Sequence, residues 1–250
     1  MQLLHSFDEI RASVPSTCTI GAFDGVHLGH QQLIRAMVGD ARARGVQSAV
    51  VTFFPHPRVV LGRAPNRYLT LPDDKAEQIA ALGVDVLVTL EFTLQMAQLT
   101  ARQFVEHMVD ALAPVSLWIG PDFALGRGRQ GNAAYLAELG SQLGFTVNVL
   151  PELNLGANVI SSTRIRDALA RGDVSDANLC LGRPFRVTGS YDGDHTLCVD
   201  ERQWLPAPGV YPVLIEERIN QAILTTDRPC SIALEHPLKD GRRLVKVEFV

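Results

Sequence analysis

The chain has 250 residues, 23 Lys and Arg against 27 Asp and Glu for a formal net charge of −4, and 46% hydrophobic residues. That length supports one large domain plus a small one. The mild, mixed charge excludes a basic footprint for nucleic acid and a polybasic membrane patch, so any bound anion must be held by a local site.

Met1 to Ser13 is polar and mixed, with no positive stretch leading into an apolar one, which argues against a signal peptide. No apolar run reaches membrane-spanning length. Cys18, Cys180, Cys198 and Cys230 are too scattered for zinc ligands or a redox pair, so the expectation is reduced thiols in a cytoplasmic protein, with no protein metal centre.

Cys18 to Ile20 reads as the end of a buried strand, and from Gln31 onward Leu33, Ile34, Met37, Val38 and Ala41 fall at helical spacing. Between them lies Gly21-Ala22-Phe23-Asp24-Gly25-Val26-His27-Leu28-Gly29-His30. A turn from strand to helix aims unpaired backbone N–H groups and the positive end of the helix dipole at one spot above the sheet, which favours an anion. His27 and His30, three apart, can address one ligand, and Gly29 lets a phosphate approach the backbone without meeting a Cβ.

Gln47 to Phe54 is a nearly continuous apolar run, as for a strand covered on both faces. Pro55-His56-Pro57 then forces the chain out of the sheet and leaves His56 as a turn residue or on the ligand side. Asp73 to Leu82 predicts a helix with Asp73 and Asp74 in its first turn. The alternation continues with a strand over Asp85 to Leu90, a helix over Thr100 to Leu112, a strand over Ser116 to Ile119, a helix over Asn132 to Leu143 and a strand over Phe145 to Leu150. Such a pattern predicts an α/β fold with a parallel sheet, helices on both faces and ligands at the carboxyl ends of the strands.

Gly126-Arg127-Gly128-Arg129-Gln130-Gly131 matches the dinucleotide fingerprint literally, with Glu152 about where a ribose-binding acid belongs. The fingerprint needs a strand running straight into its first glycine, whereas Pro121 to Leu125 intervene after Ile119; a basic phosphate-side loop explains the arginines better. Ile160-Ser161-Ser162-Thr163-Arg164-Ile165-Arg166 opens a helix running to about Arg171. Ser and Thr are ordinary caps there. Three hydroxyl residues followed by Arg166 also gather hydroxyls, N–H groups and a guanidinium at one helix end, a combination suited to triphosphate or pyrophosphate. Past Leu181-Gly182-Arg183-Pro184-Phe185 the pattern changes to short apolar runs at Phe185 to Gly189, Gly209 to Ile215, Gln221 to Thr225, Cys230 to Leu234 and Arg243 to Val250. These predict antiparallel strands of a small barrel or sandwich, and set the expected domains at 1–182 and 183–250.

The Gly21–His30 stretch and the Ile160–Arg166 segment resemble, in order and separation, the two signatures of the nucleotidyltransferase superfamily, in the form typical of prokaryotic FAD synthetases. The likeness covers Gly21 to Gly189 well. In the tail it is fragmentary, at Gly182-Arg183-Pro184-Phe185 and Pro208-Gly209-Val210-Tyr211, which are similar to segments of that family's riboflavin kinase module. The resemblance implies a Rossmann-like parallel sheet of the nucleotidyltransferase type with a truncated, kinase-like β-barrel behind it. It implies small-molecule partners: ATP and FMN as substrates, FAD and pyrophosphate as products, and Mg²⁺ bridging phosphates, with no nucleic acid, no membrane and no particular oligomeric state. By resemblance His27, His30 and Arg166 are catalytic, and Gly21, Phe23, Asp24, Gly25, Gly29, Ser162 and Thr163 bind ATP. Phe53, Phe54, His56, Asp122, Phe123 and Leu125 would form the acceptor pocket. Two positions depart from the family pattern: Phe54 replaces an acid in the Pro-His-Pro segment, and Leu125 stands where a second aromatic is usual. The kinase module's Pro-Thr-Ala-Asn does not occur between Gly189 and Gly209, so kinase activity is not expected. Two further readings stay open: a nucleotidyltransferase using CTP or another phosphate acceptor, and a nucleotide- or flavin-binding regulator without turnover.

Overall fold

The computed structural model describes residues 1–10, 14–156, 158–193, 195–226, 230–238, 241 and 243–250. Arg11 to Ser13, the end of the polar opening segment, lie outside the described residues. The chain forms two compact units, residues 1–66 with 72–153, and residues 67–71 with 154–250.

The first unit runs β1 (Gln2–Leu4), β2 (Ser16–Ile20), α1 (Leu28–Arg44), β3 (Gln47–Phe53), α2 (Pro57–Val60), α3 (Pro72–Ala80), β4 (Val86–Leu90), α4 (Ala101–Leu112), β5 (Pro114–Ile119), α5 (Ala133–Leu143) and β6 (Thr146–Val149). Its strands pair in the order β1-β4-β3-β2-β5-β6, parallel throughout. The apolar runs carry side chains to both faces. Ala49 and Val51 of β3 enter a core with Phe104, Met108 and Leu136, while Val50 enters a second core with Leu33, Ile34 and Met37 of α1. Burial on both faces is why the strands read as continuous hydrophobic stretches rather than alternating ones.

From β2 the chain builds β3 and β4 to one side and β5 and β6 to the other. The strand order therefore reverses beside β2, and the carboxyl ends of the strands at such a reversal are where α/β sheets place their ligands. β2 is the most buried strand, yet three of its five residues are Ser16, Thr17 and Thr19. Each hydroxyl donates to a carbonyl: Ser16 to Leu112 at 2.6 Å, Thr17 to Met37 at 2.9 Å and Thr19 to Trp118 at 2.8 Å. Satisfied in this way they cost little to bury, which is why the strand extends past the apolar end visible in the sequence.

In the second unit β7 (Asn154–Leu155) and β8 (Asn158–Val159) pair antiparallel, followed by α6 (Ser162–Ala170) and α7 (Val174–Leu181). Then come β9 (Phe185–Tyr191), β10 (Thr196–Val199), β11 (Gly209–Ile215), β12 (Arg218–Leu224), β13 (Ser231–Leu234) and β14 (Arg243–Phe249). These six close a barrel in the order β10-β13-β12-β11-β14-β9. Alternate residues such as Phe185, Val187, Val213, Ile215, Val247 and Phe249 are buried, and closure leaves no unpaired edge. Tyr68 belongs to this unit too: its N–H donates to the Arg202 carbonyl at 2.7 Å and its carbonyl accepts from the Trp204 N–H at 2.8 Å. No described helix is long and apolar enough to cross a membrane, and all four cysteines are free.

Candidate active site

The turn leaves β2 where the strand order reverses. Phe23 and Val26 adopt left-handed backbone, with φ of 47° and 41°, and Gly25 does so at 86°. For residues with a Cβ that conformation costs roughly 1–2 kcal/mol each, and here it is offset by burial, since both side chains fill the core beneath α1. A Cβ on Gly21 would sit 2.9 Å from the Phe23 ring, so glycine is what lets the ring tuck under the turn. Asp24 is buried as well.

Helix α1 starts at Leu28 rather than at Gln31, because His27 caps it: its Nδ1 accepts the backbone N–H of His30 at 3.3 Å. With Nδ1 an acceptor, neutral His27 carries its proton on Nε2. The His30 ring stacks on it, with centroids 3.6 Å apart and planes 20° apart, and meets Phe23 edge-on at 5.2 Å. Among the described residues His30 Nδ1 is buried with no hydrogen-bond partner. Burial, then the charges of His27 and Lys75, hold its pKa well below 6.5, and the ring is neutral at pH 7. The result is a stacked pair of imidazoles at the start of a helix, His30 held neutral, with Gly29 between them, suited to phosphate oxygens.

On the acceptor side, Phe53 closes β3 and packs against Phe92 and Phe104 at 5.7 and 6.0 Å. Phe53, Phe123 and Leu125 border one and the same core, whereas Phe23 lies in the other. Phe54 is half-buried. His56 caps α2, its Nδ1 accepting the Arg58 N–H at 3.0 Å, and so repeats the device of His27. Asp122 is exposed, and its carbonyl accepts from Arg129 Nη2 at 2.9 Å.

The glycine-rich loop has another purpose than dinucleotide binding. β5 ends at Ile119, well before Gly126. Leu125 and Gly131 exchange N–H···O bonds of 3.2 and 3.0 Å that close the loop, and a Cβ on Gly126 would collide with the backbone nitrogen of Ala101. Gly126 and Gly131 thus let the loop lie against Ala101 at the start of α4, and α5 begins only at Ala133, capped by Asn132.

In the second unit, Ser161 rather than Ser162 caps α6, its Oγ accepting the Arg164 N–H at 3.2 Å. Ser162 and Thr163 are the first two helical residues. Arg164 is fully engaged: it grips Asp176 of α7 with bonds of 2.6 and 3.2 Å and donates to the Leu155 and Asn158 carbonyls at 3.4 and 3.3 Å. Those bonds hold the Asp176 carboxyl below its usual pKa. Arg166 is half-buried and, two residues further on, projects from a different side of the helix.

Sequence reasoning passed over Lys75, which is only 5% exposed. From the first turn of α3 its Nζ donates to the Ala22 carbonyl at 3.1 Å, Thr52 Oγ1 at 3.2 Å and the Phe53 carbonyl at 3.4 Å. The signal was available: a cation in the first turn of a helix opposes the dipole unless something else holds it there.

Residues 10–164 match the family model described as FAD synthetase. A bifunctional riboflavin kinase/FMN adenylyltransferase of Listeria monocytogenes is 37% identical over 207 residues, covering 78% of this chain and 66% of the relative. The Bacillus subtilis protein of the same name is 37% identical over 70% of this chain and 55% of its own length. The Pseudomonas fluorescens one is 36% identical over 86% of this chain and 73% of its length. This chain thus spans less than two thirds of the first two. A crystal structure described as a macrolide-efflux protein from Streptococcus pneumoniae shares the fold, with a TM-score of 0.86, 25% identity and coverage of 99% of this chain and 88% of that one.

Proposed function

Because the chain belongs to the FAD synthetase family, we propose that it is an FMN adenylyltransferase, moving the AMP of ATP onto a flavin phosphate and releasing pyrophosphate. The observation that carries this reading is the stacked His27–His30 pair at the start of α1, at the reversal of strand order. An acceptor phosphate oxygen attacks the α-phosphorus in line. The bond from that phosphorus to the bridging oxygen breaks, and pyrophosphate leaves with its electron pair. The ring N–H groups of His27 and His30 donate to triphosphate oxygens and bind more strongly as charge collects on the leaving group. Gly21, Phe23, Asp24, Gly25 and Gly29 shape the turn that receives the nucleotide, while Ser162, Thr163 and Arg166 supply further donors to its phosphates. No covalent nucleophile is needed; positioning and charge stabilisation suffice.

Mg²⁺ would arrive with the triphosphate, where it would neutralise part of the phosphate charge while keeping most of its waters. The transferase module is assigned to residues 1–182 and a trimmed, kinase-like barrel to 183–250. The reaction belongs in the cytoplasm, where ATP is supplied and thiols stay reduced.

Offering each nucleoside triphosphate with FMN and following pyrophosphate release tests the reading: ATP should be used with FMN. Preference for CTP, or turnover only with another phosphate acceptor, would replace the substrate assignment, and binding without turnover would make the chain a regulator. Riboflavin with ATP should give no FMN, because the nucleotide- and metal-binding Pro-Thr-Ala-Asn is missing between Gly189 and Gly209.

The acceptor pocket gives a sharper prediction. An isoalloxazine ring favours aromatic walls, and Phe53, Phe54 and Phe123 offer them, with His56 and Asp122 as polar neighbours. Leu125 removes one wall, which costs about 0.5–1.5 kcal/mol of stacking. Leu125→Phe should therefore tighten FMN binding by up to roughly tenfold in a flavin-fluorescence titration with ATP and Mg²⁺ present. Absence of FMN binding in both proteins would point to a non-flavin acceptor.

A further inference from the structure

Lys75 is a buried cation that the reaction as described does not use. Hydrogen-bond counting fixes its state. Thr52 Oγ1 donates its only proton to the Ala22 carbonyl at 3.1 Å, so toward Lys75 it can only accept. The Ala22 and Phe53 carbonyls are acceptors as well. Three acceptors need three N–H donors, which an ammonium has and a neutral amine lacks. The charged groups facing Lys75 are buried Asp24, whose charge favours the ammonium, and His30, whose protonation the ammonium opposes.

The carbonyls it holds are informative. Ala22 lies in the turn that leads from β2 to His27 and His30, and Phe53 is the last residue of β3, directly before Phe54-Pro55-His56. We infer that Lys75 is a positioning residue whose ammonium ties the carboxyl ends of β2 and β3 together, fixing the histidine turn against the acceptor segment in the geometry that adenylyl transfer requires. This rests on the transferase reading for its kinetic consequence, but not for its electrostatic one.

Burial lowers the Lys75 pKa to about 8, against 10.5 for an ordinary lysine. The sign of the linkage separates positioning from mere stability. Between about pH 8 and 10.5 the unfolded chain holds more protons at this site than the folded one, so this group makes the fold more stable as pH rises through that window. Deprotonation nevertheless removes one donor from the clamp. Activity should therefore fall above about pH 8 with no loss of Tm attributable to Lys75.

The test uses Lys75→Met, Lys75→Arg and the unaltered chain. Lys75→Met keeps the apolar stem and should lower kcat on the order of 10–10²-fold, as expected for misplaced reacting groups, with smaller changes in KM for ATP and the acceptor. Its kcat should no longer show the fall above pH 8. Lys75→Arg, which stays charged, should recover part of kcat and move the fall to higher pH. NMR titration of the histidine ring protons in the free protein gives a readout independent of turnover: the His30 midpoint should rise in Lys75→Met and stay low in Lys75→Arg. A lowered Tm with unchanged kcat, unchanged basic limb and unchanged His30 midpoint would overturn the inference. A rise in the His30 midpoint in a chain that uses no flavin would keep the clamp and refute the flavin reading instead.

Discussion

His27→Ala and His30→Ala should each lower kcat on the order of 10²-fold, the loss seen when one preorganised donor is removed from a developing anion. On the proposed reading both act on charge that appears as pyrophosphate leaves, so KM for ATP should change less than kcat. The two losses should not multiply in the double variant, since the rings stack at 3.6 Å and His27 also accepts the backbone N–H of His30. Acid should act through His30 in the same direction. Its folded pKa lies well below 6.5, so the stability linked to its neutral form is complete above pH 6.5 and is lost as the pH falls through the folded value. Tm should decline on that acid limb, and His30→Asn should flatten the decline. Normal turnover in both single alanine variants would remove the histidines from the chemistry.

The sheet was legible because its strands are covered on both faces and its helices carry apolar residues at helical spacing. Leu33, Ile34, Met37 and Ala41 are all buried, as the spacing of α1 predicts. What escaped was short or held by polar contacts. β1 is three residues long with two of them exposed, α2 is a four-residue helix capped by His56, and β10 has four residues. α7 was not anticipated: Asp173 caps it, and its Asp176 is pinned by Arg164. Of the candidate residues, the histidines and the α6 segment were visible as motifs. Their division of labour was not: that His27 is itself a cap, that Ser161 rather than Ser162 caps α6, and that Lys75 comes from a distant helix are consequences of packing. The literal Gly-x-Gly-x-x-Gly shows the converse, since Gly126 answers to the backbone of Ala101.

The two arginines of the α6 motif should separate cleanly under substitution. Arg164 makes four hydrogen bonds, two to Asp176 and two to carbonyls of the β7–β8 segment. Its side chain and that of Asp176 are 21% and 20% exposed, so solvent screens the pair only in part. Arg164→Ala should cost about 1 kcal/mol from the ion pair and more from the abandoned carbonyls, read as a lower Tm without ligand. Arg166 begins the second turn, where the dipole has faded and an arginine propagates a helix nearly as well as alanine. Helix propensity therefore predicts little change for Arg166→Ala, and its ATP affinity should fall by more than its Tm. If its guanidinium holds triphosphate oxygens, the variant loses charge-assisted bonds of about 1.5–3 kcal/mol, or roughly 10- to 150-fold in ATP affinity by calorimetry. Arg166→Lys should recover only part of this, because an ammonium cannot present the planar, bidentate fork. A large fall in Tm with unchanged ATP affinity would make Arg166 a second fastener like Arg164, and would shift the phosphate-binding role on α6 to Ser162, Thr163 and the backbone N–H groups of its first turn.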